Sequence, residues 1–233
     1  MALRRKTIVS ALVAVLLIAL AFVAGRQTAP TAATTTTTTS APMTTTTAPV
    51  ISQTATAIWP TIASSVRYAT PDAAASGFAL EYLHMTDPVV GVYRAGDTRS
   101  GEVPVRGSAG GPETTVLVRQ VMSDGSWWVI GAATQDITIN VPSTLARVSS
   151  PFAISGVSTA YEAVVNFSLR EDDVSTPLVT GTTMGGSMGQ LGPFHSSLAF
   201  QNPTSTYGAL VLYTISAKDG SIASASVIRV RFH

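Results

Sequence analysis

The stretch YEAVVNFSLR, residues 161–170, places Ala163, Val165, Phe167 and Leu169 on one side of an extended chain and Asn166 and Ser168 on the other. Successive side chains of a strand point to opposite faces, so this period of two predicts a strand with one apolar face. SVIRVRF, residues 226–232, repeats the pattern, with Ile228, Val230 and Phe232 opposing Arg229 and Arg231. Working outward, further short apolar runs between turn residues lie at 136–141, 152–156, 177–183, 194–200 and 209–216. About seven short strands in a hundred residues predict an immunoglobulin-like β-sandwich over 136–233. The chain contains no cysteine, so that sandwich must be held by apolar side chains alone, and thiolate metal sites are excluded.

Upstream, residues 58–135 have a different texture. Thr70 can cap a helix, Pro71 suits its first position and Asp72 complements its dipole. Ala75, Phe78, Ala79, Tyr82 and Leu83 then form one apolar helical stripe, which Asp87-Pro88 should end. Strand-like runs follow at 89–94, 102–106, 115–122 and 127–132, the last two joined by a Ser123-Asp124-Gly125-Ser126 turn signal. One helix over an antiparallel meander predicts a small α+β domain. Almost no linker separates it from the sandwich at Thr134–Asp136, so the two should share an interface.

The N-terminal residues fix the expected location. Arg4, Arg5 and Lys6 precede an apolar span from Ile8 to Gly25, long enough at 1.5 Å per residue to cover roughly 27 Å of bilayer. Retained cations predict a short cytoplasmic tail (1–6), a transmembrane anchor (7–25) in contact with the cytoplasmic membrane, and the rest of the chain outside. The alternative is secretion after cleavage near Ala21, where Ala19-Leu20-Ala21 offers a small-x-small site. Residues 26–57 are Thr, Ala, Pro and Ser with few large apolar side chains, which predicts a disordered stalk. The chain is therefore expected to be mainly β: anchor, stalk, α+β domain, then sandwich.

The whole chain carries +1, yet from Gln27 onward ten Lys and Arg face thirteen Asp and Glu. A slightly acidic ectodomain has no electrostatic footprint for nucleic acid. Gly185-Gly186-Ser187-Met188-Gly189 matches a nucleophile elbow formally, with His195 near, but no helix can follow it before Gly192-Pro193. His84, His195 and His233 have no metal-ligand spacing, and Glu171-Asp172-Asp173 lacks the spaced oxygens of a calcium loop. No catalytic, cofactor or metal residues are assigned. Glu102 and Glu113, the carboxylates a wall hydrolase would use, have no evident partner. Two binding candidates remain. The loop 96–102 offers Asp97 and Arg99 to a sugar or a carboxylate. Trp127 and Trp128 alternate on a strand, so one ring should enter the core and the other point outward, where it could stack on a ligand or pack beneath the second domain.

PSTLARVSSPFAISG (142–156), AYEAVV (160–165), GPFHSSLAF (192–200) and SAKDGSIASASVIRVRF (216–232) together resemble the bacterial spore-germination immunoglobulin-like domain. The resemblance covers the last hundred residues. It implies a non-catalytic module of Gram-positive envelope proteins with no established ligand. The expected function is a membrane-anchored extracytoplasmic binding or scaffolding protein engaging protein partners. A peptidoglycan- or glycan-binding module is the alternative, and a wall hydrolase a more distant one.

Overall fold

Thr70 does what its position predicts: its hydroxyl accepts the Ala73 N–H at 3.2 Å, and Pro71 opens helix α1 (Pro71–Gly77). The structure, a computed structural model, describes residues 52–232; the expected tail, anchor and most of the stalk, with His233, lie outside the described residues. No helix among the described residues is long and apolar enough to cross a membrane. Helix α1 runs into a wider π-type turn (Phe78–Tyr82) and ends at Leu83, earlier than Asp87-Pro88. His84 leaves the helical region with φ 58°, while the Met85 N–H closes back on the Ala79 carbonyl at 2.9 Å. Ala74, Ala75, Phe78, Ala79 and Leu83 form its fully buried face.

Below this face lie the short strands β1 (Val89–Val90) and β2 (Arg94–Ala95), then β3 (Ser100–Arg106), β4 (Glu113–Arg119) and β5 (Trp128–Thr134). All are antiparallel neighbours, with β1 and β2 both pairing β3. Strand β6 (Ile137–Val141) follows, then β7 (Ala146–Val148), β8 (Phe152–Ala160), β9 (Val164–Glu171) and β10 (Val179–Met184). The last strands are β11 (Gly186–Ser187), β12 (Gly192–Leu198), β13 (Tyr207–Ile215) and β14 (Ile222–Phe232). One hydrogen-bonded path runs β1-β3-β4-β5-β14-β13-β9-β10. Strand β6 leaves it by pairing β5 at Thr134–Ile137 and then β8, so that β6, β8 and β12 form the facing layer. Ile137, Ile154 and Phe194 from that layer meet Phe167, Leu210, Val230 and Phe232 in the sandwich core.

The two expected segments thus share a sheet as well as a border. β5 pairs β14 at Ala132–Val227. The core under α1 takes Val103, Val116 and Val129 from its own strands and Ala209, Val211, Ala225 and Val227 from β13 and β14. Strands β13 and β14 are therefore buried on both faces. Arg229, opposite Ile228, Val230 and Phe232 on β14, is affected by this second cover. It alternates out of the sandwich core as predicted, but that side is covered by the N-terminal segment, and Arg229 is 3% exposed. The same segment begins before Ile58: Ala55 and Ala57 are buried next to a single 3-10 turn (Gln53–Thr56), within the range expected as stalk.

Candidate functional site

Residues 57–68 act as a strap across the end of β5. The Ile58 and Trp59 N–H groups donate to the Val129 carbonyl at 2.8 and 3.2 Å, Val129 N–H returns to Trp59 at 2.7 Å, and Trp127 N–H donates to Tyr68 at 2.9 Å. The strap decides the fate of the tryptophan pair. Trp127 packs in the core under α1, edge-on to Tyr93 at 5.5 Å. Trp128 is fully buried with Ala57 and Val121, and Arg67 lies over its ring at 5.3 Å. Neither ring points outward, because the face that alternation leaves open on β5 is covered by the strap.

The loop with Asp97 and Arg99 closes on itself. Asp97 Oδ1 accepts the Arg99 N–H at 2.7 Å, and the Arg99 guanidinium donates to the Met122 carbonyl at 2.7 Å. These contacts, the Arg99 N–H first and Ser100 next, hold the Asp97 carboxyl below its ordinary range. Arg119 completes the set at 3.5 Å. Ser187 lies in the two-residue strand β11, parallel to β8, and a turn with Met188 at φ 52° follows. A helix does not start there, so the geometry of a nucleophile elbow is missing. His195 lies on β12, paired with Ser155 of β8 and exposed.

The acidic triplet has structural partners. Glu171 Oε2 accepts the N–H groups of Thr204 and Ser205 at 2.6 and 3.0 Å. Asp172 takes both terminal nitrogens of Arg229 at 2.5 Å, while Arg229 Nε donates to the Ala55 carbonyl at 3.0 Å. Burial raises the Asp172 carboxyl above its ordinary value despite that pairing, with Asp173 and Glu171 adding to the rise. Asp173 accepts the Thr61 hydroxyl. Asp173 thereby ties the strap to the β9–β10 turn, and the Arg170 guanidinium, donating to the Tyr82 carbonyl, ties in the helix exit.

Two surface features lie apart from the binding candidates Asp97, Arg99, Trp127 and Trp128. The first is a cleft of about 520 Å³ at that junction, with Trp59 and Tyr82 among its lining residues. Burial pushes the Tyr82 hydroxyl up to about 12. The second is an apolar tip on the sandwich. Tyr161 and Ile215 line one shallow depression with Met188, which is 92% exposed. Met184 and Leu191 bracket the same turn at 61% and 58% exposure. Glu162, Ala163 and Met188 all have left-handed backbones, φ 55°, 62° and 52°, a conformation non-glycine residues seldom adopt. The sequence signal for this tip was available: large apolar side chains inside a glycine-punctuated turn, where nothing local can cover them.

No curated protein and no solved structure matches the chain. The immunoglobulin-like family that the C-terminal motifs resemble is generally non-catalytic. Residues 136–221, which span β6 to the β13–β14 turn, match the family model described as the immunoglobulin-like domain of bacterial spore germination, and this part of the chain carries that domain.

Proposed function

We propose that the protein is a non-catalytic scaffold, tethered to the cytoplasmic membrane by residues 7–25 and facing the outside of a Gram-positive-type cell, that engages a protein partner. The observation that carries the reading is the apolar tip. Tyr161, Met184, Met188, Leu191 and Ile215 are all at least 40% exposed on neighbouring turns and strand ends. Clustered apolar surface of this kind marks contact sites, and methionine adapts its shape to a partner. The non-catalytic part of the reading is supported by the way carboxylates are engaged. Glu113 pairs Arg106 at 2.5 Å, Glu171 holds the 204–205 loop and Asp172 pairs Arg229. The glycan alternative loses its aromatic platform with the burial of Trp127 and Trp128.

A photo-crosslinker at position 188 of the full chain, expressed in cells, tests this. The expected result is a discrete crosslinked protein that is absent when the crosslinker sits at the equally exposed Val92 and is lost in Tyr161→Ser. Identical capture from both positions, or none from 188 while the protein sediments with peptidoglycan, overturns the scaffold reading.

A further inference from the structure

The junction cleft is a separate surface from the apolar tip, and its chemistry is different. Ile58, Trp59 and Tyr82 give it an aromatic and aliphatic lining, with the two ring centroids 5.8 Å apart and tilted by 47°. Glu81, Glu171, Asp172 and Asp173 also line it, against a single lining cation, Arg170, so the walls carry a net charge near −3. Arg229, behind Asp172, cancels one of these charges and leaves the cleft negative. Among the described residues Glu81 has no ion-pair partner, and it is exposed. A concave site lined by one sign of charge concentrates the opposite sign.

Aromatic faces beside carboxylates suit one class of group in particular. A cation over a tyrosine or tryptophan face is attracted by the ring quadrupole, and a neighbouring carboxylate adds to that attraction. In the cleft itself the Arg170 guanidinium sits 4.8 Å from the Tyr82 ring centroid and donates to the Tyr82 carbonyl at 2.5 Å. The cleft is open space beside the Arg170 side chain, and Glu81, Ser64 and Ser175 in its lining supply further acceptors. We infer that this cleft binds an alkylammonium group of the lysine type, presented by a peptide, with Glu81 and Asp173 as the counter-charges and Trp59 as its aromatic wall.

Neither the tip nor the scaffold reading enters this inference, so each can fail alone. Two probes, Ac-Ala-Lys-Ala-NH2 and its norleucine analogue, are titrated into the full chain while the Trp59 indole resonance is followed by NMR. The lysine peptide is expected to shift Trp59 saturably, with affinity falling as salt rises, and the norleucine peptide is not. Glu81→Gln should weaken binding at least fivefold. The Trp127 and Trp128 resonances, buried elsewhere, report that this variant is folded. Equal shifts from both peptides, no shift from either, or unchanged binding in folded Glu81→Gln overturns the assignment.

Discussion

Arg229 and Arg119 each pair with an aspartate, and their surroundings make the two pairs unequal. Arg229 is 3% exposed, bidentate to Asp172, bonded to the Ala55 carbonyl and stacked 5.1 Å over Tyr207. Arg119 reaches Asp97 at 3.5 Å with both side chains more than a third exposed. Removing one member of a buried pair leaves the other charge without compensation and costs about 3–5 kcal/mol, whereas an exposed pair contributes about 0–1 kcal/mol. Arg229→Ala is therefore expected to lower the urea-unfolding free energy by about 3 kcal/mol or more, and Arg119→Ala to leave it nearly unchanged. Similar losses for both would show that Arg229 does not hold strap and sandwich together. Its position in the strand was legible from alternation. Its burial was not, because its partners come from elsewhere in the chain: Asp172 lies 57 positions earlier and Ala55 174 positions earlier.

At the scale of elements, the local signals were read well and the covering ones poorly. Strands β9 and β14 carry the alternation expected, except that Tyr161–Ala163 form a 3-10 turn and β9 starts at Val164, and α1 starts at its capping threonine. The two-residue β11 and three-residue β7 are too short to show any period. The strap misled the reading of Trp127 and Trp128, since Trp59 and Tyr68 make isolated pairings with β5 without forming a strand that composition could reveal. Helix α1 gives the element its own test. Alanine is normally about 1 kcal/mol better than glycine inside a helix. At Gly77, however, a Cβ would overlap the Tyr68 hydroxyl of the strap. Overpacking of this sort costs about 1–3 kcal/mol, so Gly77→Ala is expected to destabilise despite its better propensity. Adding Tyr68→Phe should recover part of the loss. A stabilised Gly77→Ala protein would mean that the strap does not press on the helix.

For the molecule as a whole, the consequence of β5–β14 pairing is that a helix-covered sheet and a sandwich become one body. β13 and β14 supply Leu210, Leu212, Val230 and Phe232 to one core and Ala209, Val211, Ala225 and Val227 to the other. Neither half keeps its apolar face covered if the other unfolds. The short linker at 134–136 announced an interface, but continuity of the sheet depends on a pairing ninety-five residues apart, Ala132 with Val227, which no local pattern encodes. The cleft exists only where strap, helix exit and β9–β10 turn stay joined, and the tip is presented by the same rigid sandwich. Calorimetric unfolding of the full chain tests this unity most directly. A single transition for residues 52–232, with calorimetric and van't Hoff enthalpies in agreement, is expected of one cooperative unit. Two separable transitions, one of them removed by Arg229→Ala while the other persists, would contradict it.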